Sequence, residues 1–257
     1  MAGNISIQGE TVASRIFRVL DCFDTARTDL TLTEIASLSS LPLSTTKRIL
    51  AELTSLRALQ RKPNGKYSIG IRLWTIGSLA PQQRSLREAA LPMMHDLYEA
   101  THENVQLAVL DGRDALCIEK ISTKRSVPNE THIGGRLPLH ATAVGKCLLA
   151  FCPQDFLVDI IRHGLSDRTR YTITEAGRLA ANLSEVKRTG IALSKEEMTL
   201  GVVSVASPII AAGKLRGSVG VVARSTTHLD SLAPAVRTAA LAISRMCDDV
   251  PQAGSGG

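Results

Sequence analysis

Positive charge in this chain is concentrated in the stretch from Leu43 to Arg72. It contains seven lysines or arginines and one acidic residue, a net charge of +6, and the formal charge of the whole 257-residue chain is also +6. The rest of the sequence is therefore neutral overall. A positive field confined to one segment suits the phosphate backbone of DNA. The predicted DNA contacts are Ser44, Thr45, Lys47, Arg48, Arg61, Lys62 and Lys66.

The elements around these residues match a helix-turn-helix followed by a small hairpin. Thr31 and Glu34 form a capping-box pattern at one helix start, and Pro42 separates that helix from the next. A second helix is predicted from Leu43 to Leu56, with Ser44, Thr45, Lys47 and Arg48 on its polar face. Its predicted buried stripe is Thr46, Ile49, Leu50, Leu53 and Leu56.

A turn at Pro63–Gly65 joins two short predicted strands, and a helix from Thr11 to Phe23 supplies the third helix of the unit. In that first helix Arg15 and Arg18 are further candidates for phosphate contacts. An ordinary solvated position at the surface is an equally good interpretation for each. Trp74 is expected to anchor the segment that leaves the hairpin. A solvated pair of amphipathic helices is the alternative to DNA binding, but capping, turn, stripe, hairpin and charge all favour a winged helix.

The remainder of the chain predicts a second, mixed domain. Val105–Leu110 and Ala115–Ile121 flank an Asp-Gly turn, and helical and strand patterns alternate as far as Cys247. The fold class is therefore α+β, with a winged helix-turn-helix joined by a linker helix to an α/β effector domain. The expected segments are a disordered lead-in at 1–10, the winged helix at 11–80, the linker helix at 81–101, the effector domain at 102–248 and a disordered tail at 249–257.

The second domain has residues suited to binding a small molecule rather than to catalysis. The segment from His140 to Lys146 places small residues and backbone N–H groups at a helix start, which favours an anion such as a carboxylate. Ser194, Ser204 and Ser207 lie in apolar strands, where each hydroxyl needs a partner, either a ligand or a neighbouring backbone group.

Enzymatic and metal-binding motifs are lacking in the sequence. Gly145-Lys146 has His140 and Cys147 where a phosphate loop needs Gly and Ser or Thr, and the six histidines do not have metal-ligand spacing. We therefore expect no catalytic site, no cofactor and no metal.

The five cysteines are Cys22, Cys117, Cys147, Cys152 and Cys247. Their odd number and wide spacing favour reduced, buried thiols, with a redox switch at Cys147 and Cys152 as the alternative. No apolar run reaches the roughly 18 residues of a membrane helix and no secretory signal is recognisable. A cytoplasmic protein without a membrane partner is expected.

Three stretches, in this order, resemble the isocitrate lyase regulator (IclR) family of bacterial transcription factors: LTLTEIASLSSLPLSTTKRILAEL, GGRLPLHATAVGKCLLAF and LSKEEMTLGVVSVASPI. The likeness spans about residues 11 to 248. It implies a winged helix, a linker helix and an effector domain similar to GAF and PAS sensors. It also implies homodimers or homotetramers on a pseudo-palindromic DNA operator.

The resemblance also implies an effector pocket. Ser194 stands where family members carry an acidic residue, and Ser204 where cysteine is frequent. The implied effector-binding residues are His140, Ala141, Thr142, Ala143, Ser194, Ser204, Val221 and Ala223. Because this set is less polar than in members that bind small oxoacids, an aromatic or aliphatic carboxylate is the expected effector.

The sequence thus predicts a ligand-responsive transcriptional regulator. Two alternatives stay open: a DNA-binding regulator without a small-molecule effector, and an enzyme that carries a winged helix as an interaction module. A regulator without an effector would show no response to a ligand. An enzyme would need a nucleophile–base pair.

Overall fold

The computed structural model describes residues 10–24, 26–123, 127 and 131–248. The chain forms two compact units that divide between Ala80 and Pro81. Residues 1–9 of the predicted lead-in and the predicted tail at 249–257 lie outside the described residues. Glu10, at the end of that lead-in, is described, and its carboxylate forms ion pairs with Arg15 and Arg18.

The first unit contains a three-helix core followed by a two-stranded antiparallel hairpin and a short helix. Its elements are α1 (Val12–Leu20), α2 (Leu32–Ser39), α3 (Leu43–Ser55), β1 (Leu59–Arg61), β2 (Tyr67–Ile69) and α4 (Ile71–Gly77).

The helix-turn-helix follows from local sequence signals. Both hydrogen bonds of the capping box are formed at the start of α2, between Thr31 and Glu34. Helix α2 ends at Ser40 in the left-handed conformation, with φ of 52°, and Pro42 is the N-cap of α3. Of the predicted buried stripe, Thr46, Ile49, Leu50 and Leu53 are buried. The prediction was wrong for Leu56, which follows the last residue of α3 and is 45% exposed.

One other expectation for the first unit was wrong. Trp74 does not anchor α4, because its side chain is 70% exposed. Arg15 and Arg18 both pair with Glu10, and Arg18 also donates to the Ser39 carbonyl. That last bond ties α1 to the end of α2 and so stabilises the helix-turn-helix.

The second unit is built on a six-stranded antiparallel sheet with strand order β5-β4-β3-β8-β7-β6. Its strands are β3 (Asn104–Asp111), β4 (Asp114–Ile121), β5 (Arg136–Pro138), β6 (Ala192–Lys195), β7 (Val202–Ala211) and β8 (Lys214–Arg224). Its helices are α5 (Pro81–Thr101), α6 (Ala143–Ala150), α7 (Gln154–Arg162), α8 (Ala176–Thr189) and α9 (Leu229–Asp248). This architecture confirms the predicted α+β class.

Helices cover both faces of this sheet, because successive side chains of a strand point to opposite sides. Leu107 of β3 and Val205 of β7 pack in the layer that contains α5 and α9. Their neighbours Ala108 and Ala206 pack in the layer of α6, α7 and α8. The linker helix, which we predicted at residues 81–101, is α5, and this helix is a packed layer of the second unit.

Candidate functional site

The polar face of α3 presents the predicted DNA contacts to solvent. Ser44, Lys47 and Arg48 are exposed and Thr45 is half-buried. Thr46 is on the opposite side, fully buried, and its hydroxyl donates to the Pro42 carbonyl at 3.1 Å. The buried face therefore fixes the direction in which the other four side chains point.

The three basic residues of the hairpin are not equivalent. The Arg61 guanidinium lies 5.8 Å from the centre of the Tyr67 ring and remains exposed. The Lys62 ammonium is 2.6 Å from a carboxylate oxygen of Asp29, so part of its charge is already neutralised. Lys66 is half-buried. Arg61 is thus better placed than Lys62 for a phosphate.

A small cavity lies on the α6 side of the sheet, with a volume of ≈ 40 Å³. This is far below the roughly 300–1,000 Å³ typical of ligand pockets, so an effector must enlarge it. Its lining residues are Gln106, Thr131, Leu137, Thr142, Ser194, Met198, Thr199, Val202, Ser204 and Val222.

Three of the predicted effector residues line this cavity. The Thr142 hydroxyl accepts from the Gly145 N–H at 3.1 Å and donates to the Pro138 carbonyl at 3.0 Å, so it caps α6. The Ser194 hydroxyl donates to the Ala141 carbonyl at 2.9 Å. Ser204 is buried and, within the described part of the chain, its hydroxyl has no hydrogen-bond partner.

The other residues of the predicted loop support the cavity from behind. His140 is buried, and its Nε2 lies 3.0 Å from the Ser166 carbonyl oxygen. Burial lowers the pKa of His140, so the neutral ring is favoured. Ala141 contributes the carbonyl that holds Ser194, and Ala143 is packed in the α6 layer. None of these three lines the cavity.

Val221 and Ala223 were predicted on the wrong face of the sheet. Both are fully buried against α5 and α9, whereas Val222 lines the cavity. The error is one residue, and a shift of one residue moves a strand side chain to the opposite face.

Gln106 is a lining residue that sequence reasoning missed. It is 3% exposed, and its Oε1 atom finds no hydrogen-bond partner among the described residues. Its neighbour on the same face, Asn104, donates to the Val127 carbonyl at 2.8 Å and so ties down the β4–β5 connection. The sequence did contain a signal for this face: two amide side chains, Asn104 and Gln106, stand two positions apart in a largely apolar strand.

A buried ion pair lies behind the cavity. The Lys146 ammonium, 0% exposed, is 2.6 Å from Glu197 Oε1 and also donates to the Leu193 carbonyl at 3.0 Å. Burial lowers the pKa of Lys146. The Gly145-Lys146 pair that superficially resembles a phosphate loop is thus structural. A Cβ at Gly145 would lie 2.7 Å from Leu139 Cα, so only glycine allows the helix this close.

A larger surface cleft of ≈ 490 Å³ lies elsewhere in the second unit, near the start of α9. Lys195, Glu196, His228 and Asp230 contribute charged or titratable groups of both signs to its lining. None of the predicted effector residues lines it.

The thiols do not favour the redox alternative. Cys147 is fully buried, and burial raises the pKa values of both Cys147 and Cys152. A raised pKa disfavours the thiolate, which is the reactive form. Within the described ranges, the structure contains no group of three or more His, Cys, Asp or Glu residues that could hold a metal ion, and no helix that could cross a membrane.

Two protein-family models match the two units separately. The model described as "IclR helix-turn-helix domain" matches residues 12–63, and "Bacterial transcriptional regulator IclR C-terminal" matches residues 79–245. The chain belongs to the IclR family. The family resemblance of the sequence is thereby confirmed, and IclR-family proteins with curated names are regulators and repressors of transcription rather than enzymes.

Individual IclR-family relatives match most of the chain. The HTH-type transcriptional regulator KipR of Bacillus subtilis is 32% identical over 224 residues, which are 84% of this chain and 89% of KipR. The transcriptional repressor IclR of Escherichia coli is 29% identical over 200 residues, 76% of this chain and 73% of the repressor.

Solved IclR-family structures agree with the fold. An IclR homologue from Microbacterium hydrocarbonoxydans, crystallised with 4-hydroxybenzoate, is 28% identical. It matches with a TM-score of 0.90 over 93% of this chain and 100% of its own. The IclR protein of Thermotoga maritima, 25% identical, matches with a TM-score of 0.74 over 92% of this chain and 98% of its own.

Proposed function

We propose that this IclR-family protein is a ligand-responsive regulator that binds a pseudo-palindromic operator as a homodimer or a dimer of dimers. The observation that carries the proposal is the exposed polar face of α3, where Ser44, Lys47 and Arg48 stand clear of the buried stripe. Because its partner is bacterial DNA, the protein acts in the cytoplasm.

The DNA-binding half divides its contacts between bases and phosphates. Helix α3 enters the major groove with its N-terminal half, where Ser44, Thr45, Lys47 and Arg48 contact base edges or fix the helix against the backbone. Arg61 and Lys66 of the hairpin contact phosphate alongside, with Lys62 a weaker contributor because of Asp29. Two copies of α3 in a dimer then read half-sites roughly 34 Å apart.

The sensing half binds a small effector at the cavity on the α6 side of the sheet. Thr142, Ser194 and Ser204 face it, with His140, Ala141 and Ala143 supporting its wall. The crystallised homologue with 4-hydroxybenzoate supports an aromatic or carboxylate catabolite as the effector class. Val221 and Ala223 are excluded from the proposed site.

A direct connection between the cavity and α5 supports coupling of the two functions. On β4, Lys120 is paired with Gln106 of the cavity, and the adjacent Glu119 points to the other face of the sheet. There the buried Glu119 carboxylate is 2.5 Å from the Arg87 guanidinium of α5. Helix α5 follows the first unit in the chain at Pro81, and we propose that it carries a shift of β4 on effector binding to the DNA-binding unit.

The proposed function is tested by DNA binding and its response to small molecules. Purified protein should select specific sites from fragments of its own genome, with half-sites about one helical turn apart. A metabolite panel that includes 4-hydroxybenzoate should contain at least one compound that changes operator affinity by roughly 5- to 150-fold, the usual range of allosteric coupling. A protein that ignores duplex DNA at low salt would disprove the regulator, and one that binds DNA but responds to no metabolite would leave the ligand-free alternative.

Arg87→Gln should uncouple effector binding from DNA binding. The variant loses the charge that holds Glu119 while both binding surfaces remain, so effector affinity in the absence of DNA should be unchanged. The effector-induced change in operator affinity should fall to less than about a third of the wild-type factor, since coupling networks contribute about 0.5–2 kcal/mol. Arg84→Gln is the matched control, because Arg84 on the same helix pairs with the exposed Glu88. Equal coupling in both variants would refute this route.

A further inference from the structure

We propose that the effector enters the cavity with an uncharged hydrogen-bonding group, a hydroxyl or a carboxamide, and that Gln106 and Ser204 bind this group. The inference rests on the proposed function and narrows its effector class: a carboxylate, if the effector has one, lies away from these two residues.

Gln106 is in place before any ligand is bound. Its side chain is buried, and Oε1 has no hydrogen-bond partner in the described part of the protein. Gln106 is paired with Gly220 of β8, where Ala206 and Val144 leave no room for a side chain. An unsatisfied buried amide is destabilising, and proteins keep such groups mainly where they have a function.

Ser204 supplies a hydroxyl on the same face of the sheet. It is 8% exposed, and its hydroxyl bonds to no described residue. Strand β8 lies between the two residues. Gln106 of β3 is opposite Gly220 on β8, and Ser204 of β7 is opposite Val222, two residues further along β8. By contrast, the hydroxyls of Ser194 and Thr142 are already bonded to the carbonyls of Ala141 and Pro138.

The cavity offers hydrogen-bonding groups that favour a neutral ligand group able to donate. Its described lining contains no charged side chain. Lys146 is paired with Glu197, and Lys120, opposite Gln106 on β4, donates to the Thr131 carbonyl at 2.6 Å. The atom of Gln106 without a partner is Oε1, which accepts hydrogen bonds, and a carboxylate has no proton to donate to it. An amide or hydroxyl both donates and accepts, and so satisfies Gln106 and Ser204 together.

The test compares matched neutral and charged fragments on the full-length protein. Acetamide is paired with acetate, benzamide with benzoate, and 4-hydroxybenzamide with 4-hydroxybenzoate, and affinities are measured by calorimetry. The neutral member of at least one pair should bind at least tenfold more tightly than its carboxylate. Ser204→Ala should weaken that binding about tenfold, whereas Ser207→Ala, on the same strand but bonded to the Gly190 carbonyl outside the cavity, should not.

Gln106→Leu gives a second readout that a structural role would not produce. It should abolish fragment binding and raise the melting temperature of the ligand-free protein, because it removes an unsatisfied amide. A lower melting temperature would mean that Gln106 serves the fold, and the inference would fail.

Three further results would overturn the inference. Carboxylates that bind as tightly as the amides, or no saturable binding by any fragment, would overturn the inference. So would equal effects of Ser204→Ala and Ser207→Ala. In each of these cases the proposed function survives if the protein still binds its operator and releases it with a metabolite.

Discussion

The double variant Lys47→Ala/Arg48→Ala should bind every duplex DNA weakly, with an affinity reduced roughly a hundredfold at physiological salt. Both side chains are exposed on the polar face of α3, and neither forms an ion pair with any described residue. Removing one base-reading arginine costs about 1–3 kcal/mol, and removing a lysine that neutralises a phosphate weakens binding further. The slope of log K against log salt should become shallower by about 0.9 for each phosphate that the variant no longer neutralises.

Lys187→Ala is the control for this experiment. It removes the same kind of charge from an exposed position in the last turn of α8, in the second unit. Fluorescence anisotropy between about 50 and 200 mM salt should give the wild-type slope for this variant. A double variant with wild-type affinity and wild-type slope would mean that α3 does not contact DNA.

The direction of this face could be predicted because it depends on local signals. Capping at Thr31, the break at Pro42 and the spacing of Ile49, Leu50 and Leu53 are all readable within a few turns of helix. The pairing of Lys62 with Asp29 could not be predicted, because the two residues are 33 positions apart and meet only after the hairpin has folded. Charge counting therefore pointed to this segment but gave Lys62 the same weight as Arg61.

The cavity shows the limit of sequence reasoning more clearly. Which face a strand residue occupies depends on register, and register is set by pairing with distant strands. Apolar residues fill both faces of β8, so the alternation that would distinguish Val221 from Val222 is invisible in its sequence. Gln106 becomes interpretable only when β8 lies beside it with Gly220 opposite.

The buried pair of Lys146 and Glu197 could not be predicted either, because the two residues are 51 positions apart in the sequence. In the structure the lysine connects three segments of the second unit: α6, the strand residue Leu193 and the turn at Glu197. Because Ser194 and Met198 of the cavity wall are adjacent to those partners, the ion pair fixes the shape of the wall.

Lys146→Met should therefore destabilise the second unit by about 3–5 kcal/mol, the usual cost of leaving one member of a buried ion pair without its partner. The methionine side chain fills much the same space, so the penalty comes from the uncompensated Glu197 charge, which is only 7% exposed. Urea denaturation followed by far-UV circular dichroism should show a lower midpoint with a similar m-value.

The double variant Lys146→Met/Glu197→Leu separates this explanation from a general packing defect. Replacing both members by apolar groups removes the stranded charge, so most of the stability should return, as is common for buried pairs exchanged as a unit. Arg113→Met is the exposed counterpart: its pair with Asp159 is about half-exposed and screened by solvent, so its loss should cost far less stability than Lys146→Met. If Lys146→Met were as mild as Arg113→Met, or if the double variant were no more stable than the single one, the ion pair would not hold this unit together.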